Sequence, residues 1–300
     1  MGSAPEGSVT VNTEKASMES STSRRQLLQM AAVGAAASLA GSGPKASAAQ
    51  AAAASESGLK FRLGMASYTF RKFDLDQALK MTARLKVKAI CLKDMHLALD
   101  STVDRIQEAV AKVKAAGLEL YAGGVIYMRN EDEVRHAFDY AKAAGMKIIV
   151  GVPNHELLPL VNDKVKQYDI SVAIHNHGPT DKVFPTPESA YELIKGLDRR
   201  VGLCMDIGHT MRSGIDPSVP AEKYGDRLLD IHVKDVSAAT AQGSTVEMGR
   251  GVIDLPKFFR TLVKTGYSGT ASLEHEKDEN DPLAGAAESV GYMRGILASL

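Results

Sequence analysis

The sequence predicts an α/β fold: a single (β/α)8 barrel preceded by a disordered export leader. Three observations carry this reading. Short apolar runs alternate with longer amphipathic runs eight times, and that rhythm demands a parallel sheet covered by helices. Setting aside residues 1–48 leaves about 250 residues, the usual length of one such barrel. No G-x-G-x-x-G follows the first strand, which argues against an open dinucleotide-binding sheet.

The leader is rich in Ala, Ser and Gly. Within it, Ser23-Arg24-Arg25-Gln26-Leu27-Leu28 resembles a twin-arginine export signal, followed by an Ala-rich apolar run and the small-x-small cleavage site Ala46-Ser47-Ala48. The apolar run is too short and too Ala-rich for a stable membrane span, and no Cys follows it to carry a lipid. The expectation is an exported, periplasmic protein with no membrane anchor after processing and a mature domain over 49–300.

The elements follow in order. Residues 61–70 read as a strand and 74–86 as a helix, with Leu75, Ala78 and Leu79 on one face. Strands at 87–94, 118–128 and 146–153 alternate with helices at 102–117 and 131–145, each closed by Gly. A helix at 156–169 is interrupted by Pro159. The strand 170–177 precedes a helix at 186–198 that opens on a Thr cap and Pro187. Strands at 201–208, 228–236 and 269–276 complete the eight, with helices at 219–226, 254–266 and 282–300. Cys91 and Cys204 fall in apolar strands and read as buried thiols, not a disulfide.

In such barrels chemistry sits at the C-terminal strand ends. There the sequence places Lys93 and His96, His175-Asn176-His177, Asp206 and His209, His232 and Lys234, and Glu274-His275-Glu276. Six of the eight histidines lie at these ends. Residues two apart on a strand share a face, so His175 with His177, His232 with Lys234, and Glu274 with Glu276 point together. Buried carboxylates and imidazoles from four neighbouring strands need compensation. One divalent ion (Mn, Zn, Co or Fe), held by two carboxylates and imidazoles, would supply it. A hydrogen-bonded network with no ion is the alternative. Lys234 either polarises a substrate oxygen or pairs with Glu274 or Glu276. His177, Lys93, His96 and Arg250, the last in a glycine-flanked loop, are candidates for substrate contact. Glu247 is a weaker candidate ligand, and Tyr68, Phe70 and Tyr127 are the aromatic candidates for a sugar face.

The segments "MDIGH", "IHVKD" and "SLEHE", in that order, resemble the xylose isomerase-like TIM-barrel superfamily, which holds sugar isomerases, ketose 3-epimerases, inosose dehydratase and endonuclease IV. The resemblance spans about 60–300. It implies metal ligation by Asp206, His232 and Glu274, substrate contact by His209, and proton transfer by the glutamates. The fifth strand departs from the pattern: His175-Asn176-His177-Gly178 stands where members usually read Glu-Asn-His-Gly. An imidazole at 175 can still ligate, but it removes one of two symmetric carboxylate bases. What remains is proton abstraction beside a carbonyl by Glu274 or Glu276.

The resemblance ranks isomerase or epimerase first. A 3-keto-glycoside lyase or hydrolase on the same site comes second, since export favours free sugars and glycosides over sugar phosphates. A non-catalytic sugar-binding protein is a further alternative. Lys plus Arg equals Asp plus Glu at 36 each, so no global field draws nucleic acid, and the endonuclease reading is disfavoured. The expected partner is a small-molecule sugar or keto-glycoside; self-association into a homo-oligomer is compatible with the sequence.

Overall fold

The computed structural model describes residues 60–300; the export signal expected at 1–48 lies outside the described residues. Eight parallel strands close into a barrel: β1 (Arg62–Ala66), β2 (Ala89–Leu92), β3 (Glu119–Met128), β4 (Ile148–Pro153), β5 (Ser171–His175), β6 (Val201–Asp206), β7 (Leu228–Val233) and β10 (Thr270–Leu273). β1 pairs with both β2 and β10, which seals the barrel. A two-stranded antiparallel ribbon, β8 (Asp235–Val236) and β9 (Thr245–Val246), stands directly after β7.

The helices are α1 (Leu75–Arg84), α2 (Val103–Ala115), α3 (Glu131–Ala143), α4 (Leu158–Tyr168), α5 (Pro187–Ile194), α6 (Ile207–Arg212), α7 (Ser218–Lys223), α8 (Leu255–Thr265) and α9 (Leu283–Leu297). Side-chain oxygens of Asp74, Thr102, Asn130 and Thr186 cap the first, second, third and fifth helices, each accepting from the third backbone N–H. Pro159 does not interrupt α4 as expected. It occupies the first turn, where its missing N–H would have had no helical partner.

Apolar packing forms two layers. The larger lies between sheet and helices and includes Phe138, Phe258, Phe259, Met65 and Ile174. The smaller fills the barrel interior with Ala89, Cys91, Tyr121, Ala122, Val150, Ala173 and Cys204. Both cysteines are buried free thiols, as the sequence suggested. Phe70 belongs to the core and not to a ligand face.

Several expected strands prove shorter than their apolar runs; those that carry the site lose residues mainly at the C-terminal end, whereas the 146–153 strand loses its first two. Residues 67–70 form a 3-10 turn, β5 stops at His175, β6 at Asp206, β7 at Val233 and β10 at Leu273. There the strands leave the hydrogen-bonded ladder at the barrel mouth, and their next residues are released into the site. The chain therefore sets His175, Asp206, His232 and Glu274 at or within one residue of a strand end, on four adjacent strands.

Candidate metal and active site

Four side chains converge at the mouth. His175 Nε2 lies 3.2 Å from His232 Nδ1 and 3.6 Å from Asp206 Oδ2. His232 Nδ1 is 3.5 Å from Glu274 Oε2. One ligand atom from each of the four residues lies within 4.8 Å of every other, and all four residues are buried. A tetrahedral ion at about 2.1 Å from its donors leaves them about 3.4 Å apart, so these separations fit a single divalent ion. Buried Asp206 Oδ2 accepts no hydrogen bond and is met only by ion contacts, Lys234 Nζ at 3.1 Å and His175 Nε2 at 3.6 Å, so it keeps a lone pair for a further ligand. The two-His, two-carboxylate set suits Zn, Mn, Co or Fe.

Asp206 is held from behind. The other Asp206 oxygen accepts from the backbone N–H of His209 at 2.8 Å, as the cap of α6. Asn176, buried on the opposite face from His175, accepts from Asp206 N at 3.0 Å and donates to Asp206 O at 3.3 Å and to Thr210 Oγ1 at 3.2 Å. Sequence reading passed over Asn176 because its alternation points it away from the cavity. It acts by fixing the turn that aims Asp206. Below the donors, Asp230 accepts from Tyr121 Oη at 3.0 Å, and Tyr121 is 2.7 Å from Ser272 Oγ. Burial pushes the Asp230 carboxyl up to about 6.

Lys234 is the cation of the site, and its side chain is 2% exposed. Its Nζ donates to Glu274 Oε2 at 2.6 Å and to Glu276 Oε1, and makes an ion contact of 3.1 Å with Asp206 Oδ2. Gly208 makes room for this side chain: a Cβ at 208 would lie 2.2 Å from Lys234 Cγ. Burial alone would lower the Lys234 pKa, but Asp206, Glu274 and Glu276 raise it well above its usual value. Burial likewise opposes charge on Asp206 and Glu274, yet Lys234 keeps both well below the usual carboxylate range. Burial drives His175 well below its ordinary value and His177 down to about 4, so both are neutral.

The mouth encloses a cavity of about 230 Å³ lined by Tyr68, Lys93, Val125, Tyr127, His175, His177, His209, Lys234, Glu274 and Glu276. Both lining carboxylates, Glu274 and Glu276, come from the end of β10, and the lining imidazoles from the end of β5 and from α6. Tyr127 stacks on His177 with centroids 5.7 Å apart, and Lys93 lies over the Tyr68 ring at 5.0 Å. Arg212 carries only donors, so His209 Nδ1, 3.3 Å from its Nη1, is the acceptor, and the neutral ring presents Nε2–H. A wider groove of about 750 Å³, lined by Arg71, Glu247, Glu288 and several acidic loop residues, shares only Glu276 with this cavity and holds no imidazole.

Most of the expected residues meet here: His175, Asp206, His232, Glu274, Glu276, Lys234, His209, His177 and Lys93. Two do not. His96 is buried beneath the 3-10 turn, its ring 2.9 Å from Ser67 Oγ and 3.1 Å from Phe73 O, and it braces that turn. Arg250 turns to the surface and forms a two-pronged pair with Glu288 at 2.6 and 2.8 Å. Its loop is pinned by the Asp235 carboxylate, which accepts from Gly249 N and Gly251 N at 2.9 Å. Glu247 pairs with Lys277 at 2.8 Å and is no ligand. His275 is buried and Gly285 packs on its ring, consistent with an outward, structural position.

Residues 74–296 match the family described as xylose isomerase-like TIM barrel, and the chain belongs to that family. Among curated proteins it is similar to the rhizopine catabolism protein MocC of Rhizobium meliloti, 29% identical over 133 residues, 39% of this chain and 40% of that protein. It is also similar to the inosose dehydratase of Lacticaseibacillus casei, 27% identical over 153 residues, 45% of this chain and 51% of that protein. The matched stretches thus span about half the length of these relatives or less. Among solved structures, the IOLI protein with a binding zinc atom superposes with a TM-score of 0.67 at 19% identity, over 80% of this chain and 98% of that one. At that identity the likeness is one of fold.

Proposed function

We propose that this chain is a metal-dependent lyase that removes the proton beside the carbonyl of a keto-sugar or cyclic keto-polyol and expels an oxygen substituent from the next carbon. One observation carries the choice of reaction. The carboxylates that line the cavity come from one strand end only, because His175 stands where the family pattern has a glutamate. Two-base epimerisation wants a base on each face of the carbon, whereas syn elimination wants one. The dehydratase named among the relatives supports the same choice, and so the isomerase or epimerase reading moves to second place.

His175, Asp206, His232 and Glu274 would hold the ion, which supplies Lewis-acid polarisation of the substrate carbonyl when bound. The remaining work falls to the chain. Glu276, half-buried in the cavity and oriented by Lys234, takes the proton as the C–H pair moves into the enolate. The pair then forms the C=C bond as the β C–O bond breaks, and Glu276 returns its proton to the departing oxygen. Water leaves from a keto-polyol and an alcohol from a keto-glycoside. Lys234 Nζ, bridging Glu274 and Glu276, holds both carboxylates in register. His209 and His177, neutral and facing them, donate to and accept from ring hydroxyls. Lys93 with Tyr68 and Tyr127 closes the wall.

Export belongs to the proposal: the Arg24-Arg25 motif and the Ala46–Ala48 site support a leader over 1–48, a barrel released over 49–300, and a periplasmic supply of substrate. The test is proton NMR of metal-loaded protein with inososes, 3-keto-glucosides and free ketoses in D2O. An enone product with loss of the β substituent is expected. Solvent deuterium entering an intact substrate with inverted configuration would install the epimerase instead, with His209 as second base. Binding without exchange on any of these would mark a sugar-binding protein.

A further inference from the structure

Beside the reaction cavity lies a second one of about 380 Å³, and the two share His209, Lys234 and Glu276 as a common wall. Its far side is built by Arg212 of α6, by Ser244 and Thr245 at the ribbon, and by Lys277. The charge of this lining is one-sided: Arg212, Lys234 and Lys277 face Glu276 alone. Lys234 and Lys277 are nonetheless matched, by Asp206, Glu274 and Glu276 and by Glu247 respectively.

Arg212 is not matched. Its Nη2 donates to Ala241 O at 2.7 Å, its Nη1 to His209 Nδ1 at 3.3 Å, and its buried Nε has no partner. No carboxylate pairs with it among the described residues. Arg227 shows the contrast. It is buried and lines neither of these two cavities, and four backbone carbonyls, of Asp198, Val201, Lys195 and Leu197, accept from its guanidinium. A partly desolvated guanidinium with one donor unpaired and no counterion is a costly arrangement unless a ligand completes it. The planar fork of Arg matches the two oxygens of a carboxylate or phosphate.

We infer that the second cavity is a subsite for an anionic substituent of the substrate, carboxylate or phosphate, anchored by Arg212. The inference rests on the reading that the adjoining cavity holds the sugar ring. Arg212 also sets the tautomer of His209, so filling the subsite fixes the donor that faces the ring. A substrate carrying its negative charge a bond or two beyond the reacting carbons would span both cavities.

The experiment is titration calorimetry of the metal-loaded full chain with D-fructose, D-fructuronate and D-fructose 6-phosphate, in the natural protein and in Arg212→Gln and Arg212→Lys. The natural protein should favour one anionic ketose over fructose by roughly tenfold, as a charge-assisted pair supplies. Which anion wins names the source, a sugar acid or a sugar phosphate. The anion-to-neutral ratio should collapse in Arg212→Gln and return in part in Arg212→Lys. If Arg212 serves only to orient His209, all three affinities fall together, the ratio is unchanged, and the subsite is refuted. Fructose binding with no anion preference would refute the subsite and leave the sugar reading standing. No binding by any of the three would overturn both.

Discussion

Replacing Lys234 with Met removes the ammonium that makes ion contacts with all three of Asp206, Glu274 and Glu276. Asp206 and Glu274 are buried, and Lys234 Nζ stands 3.1 and 2.6 Å from their oxygens. At about 3 Å and an effective dielectric of about 20, each attraction is about 5 kcal/mol before desolvation is counted. Measured losses on stripping one partner from a buried pair are about 3–5 kcal/mol. For a barrel of this size, 1 kcal/mol moves Tm by about 2–4 °C, so metal-free Lys234→Met should melt about 10 °C below the natural protein. The oxygens that Lys234 touches are those placed to bind the ion, so a divalent cation should restore much of this loss. The assay is differential scanning calorimetry of chelator-treated protein, with and without added Zn or Mn. The metal-induced rise in Tm should be larger in Lys234→Met than in the natural protein, and a chelator competition titration should show tighter binding. An unchanged Tm in the metal-free variant, or equal metal-induced rises in both proteins, would refute the overlap of ammonium and ion.

Three other outcomes follow from the same coordinates. His232→Ala and Asp206→Ala should each reduce the metal retained after dialysis from about one per chain to a small fraction, by plasma mass spectrometry; stoichiometric retention in both would dismiss the ligand set. His177 has a folded pKa of about 4 against about 6.5 when unfolded, so the unfolded chain takes up its proton first. Its contribution is complete above about pH 6.5 and is lost as pH falls toward 4. That loss is about 3 kcal/mol, so the metal-free protein should melt progressively lower over that window, and His177→Gln should flatten the slope. Gly124→Ala should cost about 3 kcal/mol in urea unfolding, because φ is +144° there and a Cβ would lie 2.1 Å from Val150 O; a loss under about 1 kcal/mol would contradict the strain.

The barrel and the convergence of four strand ends were legible from short-range rules, whereas the family resemblance singled out Asp206, His232 and Glu274 as ligands. Eight alternations specify the sheet, and period two puts His175, Asp206, His232 and Glu274 on the inner face at the end that carries chemistry. His96 and Arg250 were misjudged because both lie beyond a strand end, where no period governs side-chain direction. Their orientations depend on partners distant in sequence: Ser67, 29 residues before His96, and Glu288, 38 residues after Arg250. Asn176 was passed over because the same alternation that marks its neighbours turns it away, and only the closed barrel shows it holding Asp206. The shortened strands have the same origin, since an apolar run records burial and the mouth of a barrel is buried without being paired.

Charge explains why His175 suits this site. Asp206, Glu274 and Glu276 bring three negative charges, and Lys234 returns one. With both imidazoles neutral, as ligation requires, the cluster is left at −2, and one divalent ion balances it. The glutamate usual at position 175 would leave an excess negative charge in a pocket that burial makes intolerant of one. The same count divides the labour. An ion in the His175, Asp206, His232 and Glu274 corner would leave Lys234 its third partner, Glu276, on the cavity wall. Glu276 thereby stands in contact with substrate space and beside the Lys234 ammonium, the placement a single-sided base needs.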